Sequence, residues 1–481
     1  MTGSDHTEAQ AESWRRHLSF EPEEARKLGL DAKGRKSLAR LPEQIDLYRE
    51  YAKAPDSQVS PALRRLARLA VRRFDRGDEH AELERVVFAR LAVAEDADGY
   101  VREHIALLRE GLERGHVAAV ELLENYCEHE LPVILARVDD DSPWREFDAL
   151  VRDELLPAAR ERGPDRWRLG EDEYAWRLAN MNLTQTPAQI AEDAREQLRE
   201  QQATIARHLG QPSFEAALPR LRAINEVRLE PGQVAPAYRE AARRCVEFVR
   251  ERAIFELPED FEIPFSVVAP ELAGVTHAGN AQAPLFGTGG GAFLVLDDAE
   301  RHRAAWVAPL AVHEGVPGHY LQSMLWQRHF RASGVAPNFI SISDMLASER
   351  QDWGAMPAIE GWAVYSEDLM LEAGFHAPEQ AVAVANFHAI RCARALIDVG
   401  VHAHGMTREE AALVLVDGVG LDRADTDREL MRSMRIPTQP LTYFAGWRAI
   451  AGLVRDSGLS LAEAHARLLA CGPSLPTSLA G

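Results

Sequence analysis

The run H-E-G-V-P-G-H contains three side chains of the kind that bind metal: His313, Glu314 and His319. In the H-E-x-x-H zinc motif, two histidines four residues apart share a helix face, and the glutamate is a base for metal-bound water. Here the histidines are six residues apart, which at roughly 100° per residue places them on different faces. Pro317 and Gly318 can interrupt a helix, so we predict a break there that brings both imidazoles to one ion. The alternative is two unrelated histidines.

A catalytic zinc site has three protein ligands and keeps one position open for water. The candidate third ligand is Glu360 in I-E-G-W-A-V-Y-S-E-D-L, 41 residues after His319. The segment has a helical pattern, and Glu367 lies on the same face at i+7. A solvated helix carboxylate is the alternative for Glu360 alone. Together with His313 and His319, it favours a site for one zinc ion.

Most of the chain has the apolar spacing of helices, with helix starts predicted at Thr186 and Thr407. Between about 257 and 296, prolines, glycines and β-branched residues replace this pattern, and Ala292–Leu296 is predicted to be a strand. The preceding glycine-rich residues, 287–291, lack the lysine and helix of a phosphate-binding loop. They form either an ordinary turn or part of a substrate-binding edge, where the strand pairs with an extended ligand.

The predicted fold is therefore mostly α. We expect a large helical bundle with a deep cleft and a small β-element before the metal-binding helix. An N-terminal helical region, 1–255, precedes a catalytic metal-binding region, 256–481. We expect these regions to form one compact unit with two lobes.

Composition excludes several other classes of protein. The 481 residues carry a net charge of −20, which argues against nucleic-acid and anionic-membrane partners. No lysine lies beyond Lys53, which excludes a lysine-bound pyridoxal phosphate and a phosphate-binding loop in the rest of the chain. The four cysteines form no C-x-x-C pair, and neither a secretory signal nor an 18-residue apolar run is visible. We therefore expect a cytoplasmic protein.

Four motifs, in order along about residues 310–450, resemble the bacterial domain of unknown function 885 family. They are H-E-G-V-P-G-H-Y-L-Q, E-G-W-A-V-Y-S-E-D-L, R-C-A-R-A-L-I-D-V-G-V-H-A-H-G-M-T-R-E-E-A and Q-P-L-T-Y-F-A-G. Members of that family are regarded as mostly helical zinc metallopeptidases of the gluzincin type. The resemblance implies that His313, His319 and Glu360 hold one zinc ion and that Glu314 is the general base.

The third and fourth motifs supply further candidates for the site. The spacings of Arg391, Arg394, Asp398 and His402 are 3, 4 and 4, which places them on one helix face. The arginines could hold a substrate carboxylate, and His402 could donate to an oxyanion. Tyr443 matches a family tyrosine and is a second candidate donor. The alternatives are a buried Arg–Asp network that braces the helices and a packed tyrosine.

The leading hypothesis is zinc-dependent hydrolysis of an amide bond in a small peptide or an amide-bearing metabolite. The chain departs from the family pattern at Phe444, where a lysine is common. This departure motivates an alternative, a metal-dependent biosynthetic enzyme acting on a non-peptide intermediate. A third hypothesis is a binding protein with a degenerate site.

Overall fold

The computed structural model describes residues 3–27, 31–34, 36–78, 96–259, 261–268, 278–281, 291–333, 356–472 and 475–479. In these residues the chain is mostly helical with one three-stranded sheet, which confirms the prediction of a mostly α protein with a small β-element. Contacts divide the chain into two units, one within Met1–Arg168 and one within Leu169–Ser333 and Trp353–Gly481.

The described part of the first unit is helical. Its α-helices are α1 (Gly3–Leu18), α2 (Pro22–Lys27), α3 (Leu41–Tyr51), α4 (Pro61–Arg76), α5 (Ala97–Arg114), α6 (Val120–Asn125), α7 (Leu131–Leu135), α8 (Pro143–Ala149) and α9 (Leu156–Arg162). Two apolar clusters fill the unit, one around Tyr48 and Leu63 and the other around Trp144 and Phe147.

The second unit contains the sheet and the candidate site residues. Its α-helices are α10 (Glu171–Asn180), α11 (Pro187–His208), α12 (Phe214–Glu226), α13 (Val234–Glu251), α14 (Val307–Glu314), α15 (His319–Ser333), α16 (Met356–Glu372), α17 (Pro378–Ala403), α18 (Arg408–Val416), α19 (Arg423–Arg435), α20 (Gln439–Asp456) and α21 (Leu461–Ala470). Among the described helices of the whole chain, none is long and apolar enough to cross a membrane.

Two predicted helix starts are confirmed by their capping side chains. Thr186 accepts from the Gln189 amide at the start of α11, and Thr407 accepts from the Glu410 amide at the start of α18. Helix α11 then packs along α17. For this reason the contacts group α11 with the second unit, whereas the division drawn from the sequence near residue 255 separates the two helices.

The sheet consists of β1 (Phe265–Val268), β2 (Ala278–Ala281) and β3 (Ala292–Leu296), in the order β1-β3-β2. The predicted strand is confirmed as β3. It pairs in parallel with β1 and antiparallel with β2, so both of its edges are occupied. The interpretation of this strand as an edge that pairs with an extended ligand is therefore wrong. Residues 287–290 of the glycine run lie outside the described residues.

Candidate metal centre

The helix carrying the first candidate ligand ends where the sequence predicts a break. Helix α14 ends at Glu314, α15 begins at His319, and residues 315–318 form turns between them. The Val316–Pro317 peptide bond is cis. The predicted departure from regular helix is thus confirmed.

Two contacts specify this break. A Cβ atom on Gly318 would overlap the backbone oxygens of Val312 and His313, so only glycine fits there. On the other side, the buried indole of Trp362 donates to the carbonyl oxygen of Pro317 at 2.8 Å. Because Trp362 belongs to α16, this bond fixes the break against the helix that carries Glu360.

The break brings together the three side chains predicted as metal ligands. Oε2 of Glu360 lies 3.4 Å from Nε2 of His313 and 3.4 Å from Nε2 of His319. All three candidate ligand atoms lie within 4.8 Å of one another, and all three residues are buried. Two donors bound at about 2.05 Å to a tetrahedral ion are about 3.3 Å apart. Both distances from Glu360 match this value, and the third separation is within 4.8 Å, so the two nitrogen donors and one oxygen donor are compatible with a single zinc-sized ion.

The predicted general base lies within this buried environment. Glu314 is the last residue of α14 and is 8% exposed. Burial raises the pKa of its carboxyl group, and the nearby carboxylates of Glu360 and Glu367 raise it further, against the opposing effect of His313 and His319. A carboxyl group with a raised pKa is suited to accepting and returning a proton near neutral pH.

Glu367 is a functional candidate for which the sequence motifs indicated no role. Its Oε1 lies 2.7 Å from Nδ1 of His313, and Arg391 donates to the two carboxylate oxygens at 2.6 and 2.8 Å. Burial by itself would raise the pKa of Glu367, but Arg391 and His313 outweigh it and hold that pKa at about 2. Burial lowers the pKa of His313, but Glu360 and Glu367 outweigh it and raise that pKa to about 9. The sequence feature that pointed to Glu367 was its position seven residues after Glu360, on the same helix face.

This arrangement gives Arg391 a different partner from the predicted substrate carboxylate. Its guanidinium contacts Glu367, and Nη2 lies 3.3 Å from Nδ1 of His313. Arg394 is also engaged in an ion pair, donating through Nε and Nη2 to Glu429 at 2.7 and 2.6 Å. Both predicted anchors are thus paired with carboxylates of the chain itself.

Tyr443 lies beside the cluster. Its ring is nearly parallel to that of His313, with centroids 6.3 Å apart, and the Arg394 guanidinium lies 5.1 Å from its centroid. Close packing of α16 on α20 positions it, because a Cβ on Gly361 or on Gly446 would overlap backbone atoms of the other helix. The neighbouring Phe444 is buried and packs against Trp447.

The structure does not bring His402 to the cluster. It follows Arg391 by eleven positions on α17, which is about 16 Å along a helix. Its Nε2 donates to the carbonyl oxygen of Ser433 at 2.9 Å, and its ring stacks on Tyr174. The geometry therefore gives no support to His402 as an oxyanion donor.

Asp398 belongs to the same buried group as His402. Its Oδ2 accepts from the Tyr174 hydroxyl at 2.6 Å and from the Thr438 amide at 2.9 Å. Burial raises the pKa of Asp398 to about 7 against these two bonds. Asp398 and His402 therefore match the alternative of a buried network that braces the helices, since Asp398 connects α17 to α10 and to the start of α20.

The fold and the site define a mostly helical protein with a buried group of two histidines and a glutamate that could hold a metal ion. The model of the family described as bacterial protein of unknown function (DUF885) matches residues 37–479, and the chain belongs to that family. The predicted family resemblance is thus confirmed. No curated protein matches the chain.

Two solved structures have a similar fold. One is described as a "putative lipoprotein of unknown function" from Shewanella oneidensis, with 17% identity, a TM-score of 0.67 and coverage of 98% of this chain and 97% of that one. The other is a "putative lipoprotein" from Colwellia psychrerythraea, with 14% identity, a TM-score of 0.66 and coverage of 98% and 96%. At these identities the likeness concerns the fold alone.

Proposed function

We propose that this protein is a zinc-dependent hydrolase that cleaves an amide bond in a small peptide or peptide-like metabolite. The observation that carries the proposal is the convergence of His313, His319 and Glu360 beside the buried carboxyl group of Glu314. Three protein ligands leave a position open on a tetrahedral ion, which is the pattern of catalytic rather than structural zinc.

His313, His319 and Glu360 would hold the ion. When bound there, zinc supplies a Lewis acid that acidifies water and polarises a carbonyl group. Glu314 takes the proton of the attacking water on its carboxylate and delivers it to the leaving nitrogen. Glu367 accepts from Nδ1–H of His313, which leaves Nε2 of that ring as the metal-binding atom.

Tyr443 is the oxyanion donor in this proposal. Its ring contacts the His313 ring, so its hydroxyl is the phenol that the geometry offers beside the cluster. His402 has no role in the step, because its ring lies elsewhere on α17 and donates to the carbonyl oxygen of Ser433 on α19. A donor aimed at the developing negative charge stabilises the transition state more than the substrate.

The proposal also includes a small substrate and a gluzincin-like cleft that admits it. Every ligand and the base are buried, which favours a narrow approach over binding of a folded protein surface. A deep cleft between helices would admit small peptides. Neither Arg391 nor Arg394 is needed as an anchor, since each guanidinium pairs with an internal carboxylate.

The test is Glu314→Gln with metal content checked, assayed on di- and tripeptides that the wild type cleaves. We expect bound metal to be retained and kcat to fall by at least about 100-fold, because the amide cannot take the proton. Glu379→Gln is the control, since Glu379 is an exposed residue in the first turn of α17.

Two results would contradict the proposal. Full metal-dependent activity of Glu314→Gln would show that Glu314 is not the base. Purified wild type with less than about a tenth of an equivalent of metal, and no increase on adding zinc, would indicate a degenerate site.

A further inference from the structure

Tyr443 contacts two arginines in addition to His313. The guanidinium carbon of Arg394 lies 5.1 Å from the phenol centroid, and that of Arg432 lies 5.4 Å from it. Arg432 lies on α19, outside the four sequence motifs. Its contacts therefore bear on a part of the site that the motifs did not reveal.

The contact between Arg432 and the phenol has a defined direction. Nη2 of Arg432 lies 2.9 Å from the Tyr443 hydroxyl oxygen. A guanidinium has donors and no acceptor, so the phenol oxygen must accept this bond. The hydroxyl hydrogen consequently points to an acceptor other than Arg432. Accepting a bond from a cation also polarises the O–H group and strengthens it as a donor.

Arg432 is itself held in place by α20. Oε1 of Gln439 accepts from Nε at 3.1 Å and from Nη2 at 2.8 Å. Gln439 is buried and precedes Tyr443 by four residues, so both lie on one face of α20. One turn before Arg432, Glu429 pairs with Arg394. One face of α19 therefore holds both guanidinium groups beside the phenol, since it carries Arg432 itself and the carboxylate of Glu429 that binds Arg394.

We propose that Arg432 is a positioning residue that directs the Tyr443 hydroxyl hydrogen toward the carbonyl oxygen of the substrate. This inference rests on the proposed function and extends it to a residue on a different helix. Arg432 acts through Tyr443, with Gln439 fixing the guanidinium. The competing explanation is an ion network that only braces α19 against α20.

A double-mutant cycle separates the two explanations. We expect Arg432→Gln to lower kcat at least about tenfold with KM changed less than about threefold, since an aligned donor acts mainly in the transition state. In the Tyr443→Phe background the same change should cause no further loss, because the group it positions is gone. Losses that multiply in the double variant would overturn the inference, as would wild-type kcat in Arg432→Gln.

A second measurement needs neither metal nor activity. In protein labelled with ¹³C at the tyrosine ζ-carbon, Tyr443→Phe identifies the Tyr443 resonance. We expect Arg432→Gln to shift that resonance because it removes a bond to the phenol oxygen. Arg423→Gln, an 89% exposed arginine on the same helix, should leave both the resonance and kcat unchanged. An unmoved resonance in Arg432→Gln would also overturn the inference.

The readouts distinguish the two proposals. If the wild type hydrolyses no amide in the presence of zinc, the proposed function fails, and the resonance still decides whether Arg432 holds Tyr443. If the wild type is active and Arg432→Gln matches it in kcat, the inference fails and the proposed function stands. Partial recovery of Arg432→Ala by added guanidinium ion would support the positioning role.

Discussion

Glu367 and His313 are joined by a hydrogen bond of 2.7 Å between a carboxylate oxygen and Nδ1, with Arg391 donating twice to the same carboxylate. The bond determines which ring nitrogen of His313 faces Glu360. A histidine that binds metal through one nitrogen commonly donates from the other to a carboxylate, which fixes its orientation and increases its basicity. Glu367 thus serves the cluster without being one of its ligands.

We expect Glu367→Gln to weaken zinc affinity by about 10- to 100-fold, measured by calorimetric titration of metal-free protein. The amide can still accept one bond but cannot neutralise Arg391, so the melting temperature should also fall. Glu379→Gln serves as the matched control at an exposed site. An unchanged zinc affinity would show that the bond to His313 is not needed for metal binding.

The glycine contact between α16 and α20 gives a second prediction. In Gly446→Ala the new methyl group would overlap the Pro357 carbonyl and crowd Gly361. We expect the free energy of unfolding to fall by roughly 1–3 kcal/mol, as for other overpacked sites. In Gly452→Ala, on the same helix, the methyl group meets only Arg455 at 3.6 Å. That variant should be neutral or more stable by about 0.5–1 kcal/mol, because alanine favours helix.

Chemical denaturation of the two alanine variants, side by side, is the measurement. Equal stabilities would contradict close packing at Gly446. Glu360 is adjacent to Gly361, and Tyr443 precedes Gly446 by three residues. Separation of the two helices should therefore also reduce zinc affinity in Gly446→Ala, but not in Gly452→Ala.

Gly318→Ala tests the break between α14 and α15. The methyl group would overlap the backbone oxygens of Val312 and His313, which cannot move as a flexible side chain can. We expect zinc affinity to fall at least about tenfold, because small displacements of a ligand from its required geometry are costly. Zinc binding as tight as that of the wild type would mean that the turn tolerates a side chain, and Gly452→Ala again provides the control.

Asp398 should make stability depend on pH. Its pKa is raised to about 7 in the folded protein, whereas an unfolded aspartate has a pKa of about 3.9. Between these values the folded state binds a proton that the unfolded state has lost, so this group reduces stability as pH rises through that window. Tyr174, His402, Arg177 and Arg432 are the titratable or charged groups around it.

Asp398→Asn removes that titration and retains an oxygen that can accept from Tyr174 and Thr438. The stability of the variant relative to wild type should therefore increase by roughly 1–3 kcal/mol as the pH rises from about 4.5 to about 8. Denaturant unfolding of both proteins at several pH values measures the difference. Parallel stability curves over this range would contradict the assignment.

Much of the site was accessible from the sequence because it depends on local rules. The six-residue spacing of His313 and His319 is incompatible with one helix face, and Pro317 with Gly318 shows where the helix must end. The strand at Ala292–Leu296 and the capping threonines follow from short-range preferences in the same way. These features depend on neighbours a few residues apart, which the sequence displays directly.

Only the tertiary structure determined which charged groups meet. Arg391 and Arg394 share a helix face with Asp398 and His402, yet each pairs with a carboxylate from a different helix, and His402 lies about three turns away from Arg391. Helix periodicity assigns a side chain to a face but not to a partner. The partner depends on how helices distant in sequence pack, which in this chain is set by contacts such as that of Gly361 with Gly446.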